Sequence, residues 1–134
     1  MTARKIIFAC VHSAGRSQMA AAFFNALVDA AVARAVSAGT QPGTRVHPEV
    51  IDSMREAGLD LAAATPRLLT PELAQGAALL VTMGCGDECP LVPGAERQDW
   101  PLQDPKGQPP DVVRRIRDEI RARVMQLIAG HGWG

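Results

Sequence analysis

A short apolar run, a loop of small and polar residues and a long helical pattern follow one another near the start of this chain. Residues 6–9 (Ile-Ile-Phe-Ala) are typical of a buried strand, and the helical pattern begins at Ser17. The loop between them reads Cys-Val-His-Ser-Ala-Gly-Arg-Ser over residues 10–17. A strand that runs through a tight loop into a helix favours a parallel α/β fold, and this order constrains the chain more than any other feature.

The loop has the residue types of a site that binds a tetrahedral anion and attacks it. Successive backbone N–H groups at a helix N-terminus hold such anions, and Arg16 can donate to two anion oxygens at once. The same positive field favours the thiolate of Cys10, to which Ser17 can donate a hydrogen bond. An inert buried cysteine beside a solvated arginine is the alternative interpretation. We predict that Cys10 is a nucleophile and that the anion is bound by Val11, His12, Ser13, Ala14, Gly15, Arg16 and Ser17.

The rest of the chain alternates strands with helices. The predicted strands cover residues 5–11, 35–39, 77–83 and 96–100. The predicted helices cover residues 17–32 and 48–58, a short helix capped by Thr70, and a final helix that begins at residues 109–111. We therefore predict one domain over residues 1–134, a three-layer α/β/α arrangement around a four-stranded parallel sheet.

Two helices have a clear apolar face. The first helix is predicted to bury Met19, Phe23, Ala26, Leu27 and Ala30. The final helix is predicted to bury Val113, Ile116, Ile120, Val124 and Leu127, and to expose Arg114, Arg117, Asp118 and Arg121. The tail with His131 and Trp133 is predicted to fray.

Composition excludes several classes of function. The 134 residues have balanced formal charge, no tyrosine and no basic stripe, which argues against nucleic-acid binding. The most apolar long stretch, residues 19–36, is interrupted by Asn25, Asp29 and Arg34, so we expect a core helix and no membrane span. No signal peptide is apparent, and we expect a soluble cytoplasmic protein whose three cysteines form no structural disulfide framework.

Three loops with reactive side chains follow three of the predicted strands. Parallel sheets bind ligands at the carboxyl ends of their strands, so the loops at residues 10–17, 84–90 and 100–105 are expected at one edge. Cys85 and Cys89 are four residues apart, which permits a thiol relay, a metal site with few ligands, or no function. Asp104 before Pro105 is the preferred general acid, and Asp99 is its rival.

The remaining histidines have no predicted chemistry. His12 lies within the loop without an evident partner, and we expect it to shape the loop or contact substrate. His47 is expected at the start of the helix that has Pro48 at its first position. No metal site is predicted.

With these residues in view, the chain resembles the arsenate reductases of the low-molecular-weight protein tyrosine phosphatase fold. The resemblance is carried by the loop at residues 10–17, the segment Met-Gly-Cys-Gly-Asp at 83–87 with Cys89, and Asp99-Trp100 with Asp104-Pro105. It extends from about Lys5 to the final helix and implies a phosphatase-like fold.

The resemblance implies a role for each matching residue. Cys10 would attack arsenate held by the loop and Arg16, and Asp104 would protonate the departing oxygen. Cys85 would attack the Cys10–arsenic adduct and release arsenite, and Cys89 would then form a disulfide with Cys85. The implied reductant is external, either thioredoxin or a low-molecular-weight thiol with a glutaredoxin-like protein. No tightly bound cofactor is implied, and we expect a monomer.

The chain departs from this family at three points. Only three residues separate Cys85 from Cys89, fewer than in many thioredoxin-coupled members. Ser13 replaces an asparagine that helps to hold the loop and in some relatives lies beside a bound potassium ion. Gly15 stands where a cysteine is often found.

Two other functions fit part of the pattern. A phosphotyrosine or phosphomonoester phosphatase would use Cys10, Arg16 and Asp104 but would have no use for the two later cysteines. The phosphatases of this fold carry tyrosines after the Asp-Pro pair, where this chain has Lys106 and Gly107. A thiol-based arsenite or redox sensor would not need the arginine and the acid.

Overall fold

The computed structural model describes residues 3–84 and 94–134. Along the chain the elements are β1 (Arg4–Cys10), α1 (Arg16–Leu27), β2 (Ala33–Gly39), α2 (Pro48–Glu56), α3 (Pro71–Ala74), β3 (Ala77–Thr82), β4 (Glu96–Asp99) and α4 (Pro110–His131). The strands form one parallel sheet in the order β2-β1-β3-β4. The predicted four-stranded α/β fold is therefore confirmed, with strand bounds within two residues of those predicted.

The two faces of the sheet are covered unequally. Alternate residues of β1, among them Ile6 and Phe8, point into a large core shared with α1, α2 and α4. Ile7 and Ala9 point to the other face, where they meet a smaller cluster that includes Ala74 of α3. The larger layer fixes where α1 begins, and with it the position of the loop between β1 and α1.

The first helix ends five residues earlier than predicted. Val28 has an extended backbone, and the Asp29 carboxylate accepts a hydrogen bond from the Ala31 N–H at 3.0 Å. This local turn competes with helical hydrogen bonding, as short polar side chains often do. Ala26, Leu27 and Ala30 are therefore exposed rather than buried, whereas Met19 and Phe23 are buried as predicted.

The C-terminal tail does not fray, which corrects the prediction. Trp133 is buried against Phe24 with ring centroids 6.0 Å apart, and its carbonyl accepts from the Asp29 N–H at 2.9 Å. His131 stacks on Trp133 at 4.2 Å and lies 3.1 Å from the Glu96 carboxylate. We call Phe24, Asp29, Glu96, His131 and Trp133 the C-terminal clamp, which joins the end of α4 to α1 and β4.

A charged network ties α2 to α4. Glu56 accepts two hydrogen bonds from Arg114, both at 2.8 Å, and a third from Arg117 at 3.2 Å. The hydrogen bonds from Arg114 lower the pKa of Glu56 from its usual 4.5 to about 2. Arg117 was predicted to be exposed, but its side chain is only 13% exposed because it also donates to the Ser53 carbonyl at 2.8 Å. The five predicted apolar residues of α4 are all buried.

No helix among the described residues is long and apolar enough to cross a membrane.

Candidate active site

The loop between β1 and α1 is buried at the carboxyl edge of the sheet. Cys10 ends β1 and is 3% exposed, while Ser13, Ala14 and Ser17 are fully covered. Gly15 is the N-cap of α1, so the loop runs directly into a helix N-terminus. That end of a helix carries unpaired N–H groups and a partial positive charge, which suits an anion.

The outer side of the loop is paired with residues 41–47. The carbonyls of Val11, His12 and Ala14 accept hydrogen bonds from the N–H groups of Gln41, Gly43 and His47, at 2.8 to 2.9 Å. Because a peptide group is planar and trans, each outward carbonyl turns the N–H of the next residue the opposite way. This pairing therefore directs loop N–H groups toward the interior of the site.

Gly39 allows the loop to approach β2 closely. A side-chain carbon at this position would lie 2.5 Å from the Val11 carbonyl and 2.8 Å from the Ser13 nitrogen. Only glycine leaves room for that contact. Sequence reasoning did not identify this role, because it depends on the register that places Gly39 opposite Cys10.

A line of hydroxyl groups leads to the Cys10 sulfur. Ser17 Oγ is 2.9 Å from Cys10 Sγ, the contact predicted from sequence, and 2.6 Å from Ser37 Oγ. Ser37 Oγ is in turn 2.8 Å from Ser13 Oγ. A hydrogen bond donated to the sulfur stabilises the thiolate, the reactive form of cysteine. Ser37 was missed; a lone serine within a buried strand is the signal that could have identified it.

Arg16 lies where the three loops meet. Its Nη1 donates to the Leu102 carbonyl at 3.0 Å, and its Nη2 is 3.9 Å from the Asp104 carboxylate. Its guanidinium also contacts Gly84, where a side-chain carbon would collide with it. Gly84 has a φ of +99°, a conformation that other residues rarely adopt. Arg16 therefore meets Gly84 and Leu102, while the rest of the second predicted loop lies outside the described residues.

The two candidate acids occupy different surroundings. Asp104 is about half exposed beside Arg16, and its Oδ1 accepts from the Lys106 N–H at 3.0 Å. Pro105 is buried, and its ring would lie 3.2 Å from a side-chain carbon at Gly15. Asp99 ends β4 and accepts a hydrogen bond from the Thr82 hydroxyl at 2.7 Å. Of the two carboxylates, Asp104 is the one placed against the arginine.

The histidines of the site lie on its rim. His12 Nδ1 is 3.0 Å from the Gln41 carbonyl, which can only accept, so this nitrogen carries a hydrogen. His47 is the N-cap of α2 as predicted, and its ring lies 3.5 Å from where a Gly15 side-chain carbon would be. The His12 ring nitrogen and the His47 backbone N–H thus both donate to backbone carbonyls at the loop.

Cys85 and Cys89 lie outside the described residues, so their predicted roles stay predictions. Within residues 3–84 and 94–134, no three His, Cys, Asp or Glu side chains cluster as metal ligands would. The described part of the site combines a buried thiol, an anion-binding loop, an arginine and a carboxylate. These groups suit nucleophilic attack on a tetrahedral oxyanion.

Comparison with known proteins identifies a family and several similar proteins. Residues 5–131 match the family described as low molecular weight phosphotyrosine protein phosphatase. A Halobacterium salinarum protein, provisionally named an arsenate reductase, is 38% identical over 129 residues, 92% of this chain and 89% of that protein. A Synechocystis glutaredoxin arsenate reductase is 34% identical over 129 residues, 94% of this chain and 97% of that protein.

A solved structure has the same fold. The Corynebacterium glutamicum thioredoxin-dependent arsenate reductase superposes with a TM-score of 0.81 at 34% identity. The match covers 96% of this chain and 61% of that one.

Proposed function

This chain belongs to the low molecular weight phosphotyrosine protein phosphatase family, and we propose that it is an arsenate reductase. It would reduce arsenate to arsenite with two electrons from its own thiols, which an external thiol reductant then restores. The observation that carries the proposal is the meeting of three loops at Arg16: the nucleophile loop, the loop with Asp104, and Gly84, which directly precedes Cys85 in the sequence.

The first step is attack on arsenic. Loop N–H groups and Arg16 hold the arsenate oxygens, as they would hold the charge that develops in the transition state. The Cys10 thiolate, with Ser17 2.9 Å away, forms a bond to arsenic. One arsenate oxygen leaves as water, and the adduct is still arsenic(V).

Asp104 is proposed as the acid for this step. A departing oxygen needs a proton, and a positioned carboxylic acid supplies one. Asp104 is supported by its 3.9 Å distance from Arg16 and by the buried Pro105 beside it. Asp99 is engaged by Thr82 instead.

Reduction follows in a relay of thiols. The Cys85 thiolate attacks the Cys10 sulfur, a Cys10–Cys85 disulfide forms, and the electron pair of the sulfur–arsenic bond stays on arsenic, which leaves as arsenite. Cys89 then attacks Cys85 and releases Cys10 as a thiolate, leaving a Cys85–Cys89 disulfide. An external dithiol, or a small thiol with a glutaredoxin-like protein, reduces that disulfide. We place this cycle in the cytoplasm, where thiols are kept reduced.

The test is an assay of arsenate-dependent NADPH oxidation with two reductant systems. One arm contains thioredoxin and its reductase, and the other contains a small thiol, a glutaredoxin and their reductase. Hydrolysis of an aryl phosphate is measured in parallel. Arsenate turnover in either arm supports the proposal. Rapid ester hydrolysis without arsenate turnover in either arm would mean that the protein is a phosphatase.

Single-turnover measurement tests the relay. With thioredoxin, Cys89→Ser is expected to release at most one arsenite per enzyme, because its Cys10–Cys85 disulfide is not resolved. The matched variant Cys85→Ser should release none, since its adduct is never attacked. Repeated turnover by Cys89→Ser with thioredoxin would contradict the relay. Turnover by this variant only with the small thiol would show that the small thiol and glutaredoxin are the reductant.

A further inference from the structure

The polar side chains behind the catalytic loop do not form a suitable binding site for the potassium ion that lies beside this loop in some relatives. A cavity of ≈350 Å³ lies there, between α1, β2 and residues 61–67. Its polar lining consists of Gln18, Asn25, Ser37, Thr65 and Arg67. Among the described residues that line it, Arg67 is the only charged one, and its charge is positive.

The oxygens of Ser13 already accept hydrogen bonds from N–H donors. The Gln18 amide donates to the Ser13 carbonyl at 2.9 Å, to the Ser13 hydroxyl at 3.4 Å and to the Thr65 carbonyl at 3.2 Å. The Arg67 backbone N–H also donates to the Ser13 hydroxyl, at 3.3 Å. A cation bound to these oxygens would have to displace these N–H groups or lie against them.

These donors support an unusual conformation. Ser13 has a φ of 51°, the left-handed region that residues other than glycine seldom occupy. Such a conformation persists only where the surroundings hold it. Gln18 is 93% buried, and its amide contacts both oxygens of Ser13, which supports the bend of the loop.

We infer that the amide of Gln18 and the N–H of Arg67 hold this loop in place of a monovalent cation, so that the protein requires none. The arrangement also permits one direction along the hydroxyl line. With the Arg67 N–H donating to Ser13 Oγ, the Ser13 hydrogen can go to Ser37, that of Ser37 to Ser17, and that of Ser17 to the Cys10 sulfur. The inference concerns the loop and holds whether its substrate is arsenate or a phosphate ester.

The wild-type protein provides the first test. The rate of Cys10 alkylation by iodoacetamide, followed by peptide mass spectrometry, and the Tm are measured in KCl, NaCl and choline chloride at equal ionic strength. Because a ligand stabilises only a fold that binds it, we expect equal Tm values and alkylation rates within about 1.5-fold. A Tm or a rate specifically raised by potassium would overturn the inference.

Gln18→Glu provides the second test. The substitution keeps the shape but turns the donor into a carboxylate that faces the carbonyls of Ser13 and Thr65. We expect a lower Tm and about tenfold slower alkylation in choline chloride, with both restored in part by potassium, because buried unpaired acceptors are costly. The matched control is Gln126→Glu on the exposed side of α4, with no cation effect expected.

Each result decides the question. A Gln18→Glu protein as stable and as reactive as wild type in choline chloride would show that the amide does not hold the loop. If the variant is destabilised and potassium does not restore it, this position cannot take a cation even with a carboxylate. The inference that the amide stands in place of a cation would then be wrong. If Gln18→Glu does not fold, the wild-type cation series still decides. Neither measurement uses arsenate, so failure here is distinct from failure of the proposed reaction.

Discussion

The catalytic loop and the C-terminal clamp lie at opposite edges of the same sheet and are held by different forces. The loop is buried yet polar: its serine hydroxyls take part in hydrogen bonds, and its carbonyls accept them from residues 41–47 and from the Gln18 amide. The clamp is held chiefly by aromatic packing of Trp133 on Phe24, which itself packs on Phe8. Substitutions in the loop should therefore change chemistry, whereas substitutions in the clamp should change stability.

The difference follows from what each region must expose. A loop that binds an anion has to keep N–H groups for its ligand, so its shape is fixed from outside by residues 39–47 and by α1. In the clamp, Phe24 and Trp133 are buried against each other. Apolar packing stabilises the clamp without requiring one exact geometry. Hydrogen bonds fix the geometry of the loop and contribute little net stability.

The largest expected effect is that of Cys10→Ser. A serine hydroxyl is not ionised at neutral pH and cannot give electrons to arsenic, so arsenate reduction should fall below detection. Urea denaturation should show a free energy of unfolding close to that of wild type, because the change is nearly isosteric. A large loss of stability would break the proposed division between the two regions.

Asp104→Asn should have the next largest effect. Loss of the general acid is expected to slow the formation of the first adduct by about 10²- to 10⁴-fold, measured by rapid quench in a single turnover. The half-exposed side chain contributes little packing, so the Tm should be nearly unchanged. Asp99→Asn is the comparison variant, and a greater rate loss there would make Asp99 the acid.

Trp133→Ala should show the opposite pattern. Removal of this buried ring is expected to lower the free energy of unfolding by about 3 kcal/mol, measured in urea. The single-turnover rate of the folded variant should stay within about twofold of wild type, because the clamp is remote from the loop. A tenfold loss of rate with unchanged stability would contradict the comparison.

Glu56→Gln should have the smallest effect, and only in acid. The pKa of Glu56 is lowered to about 2 in the folded protein, so its ion pairs stabilise the fold above pH 4.5 and cease to do so as the pH falls toward 2. The glutamine variant should therefore lose less stability than wild type between pH 5 and pH 2. Glu72→Gln, at an exposed position on α3, should leave the acid profile as in wild type.

Sequence reasoning succeeded where the signal is local. The loop and the helix start after β1 are contiguous in the chain, so Cys10, Arg16 and Ser17 could be placed from the order of residues alone. The parallel sheet followed from the alternation of strands and helices. The pairing of Ser17 with the Cys10 sulfur was also within reach, because both belong to one turn.

The parts that were missed depend on contacts between distant segments. Ser37 reaches the loop only through the register that pairs β2 with β1, and Gly39 is needed only because the Val11 carbonyl lies against it. The burial of Trp133 depends on Phe24 and on the early end of α1. A helical or apolar pattern read along the chain contains no information about such partners.

Gly84 connects the proposed anion-binding site with the proposed redox segment. It packs against the guanidinium that is proposed to hold the substrate, and it is also the residue from which the chain continues to Cys85. A side-chain carbon at this position would collide with the Arg16 guanidinium. A substitution at Gly84 therefore acts on the anion site and, through the chain, on the start of the proposed redox segment.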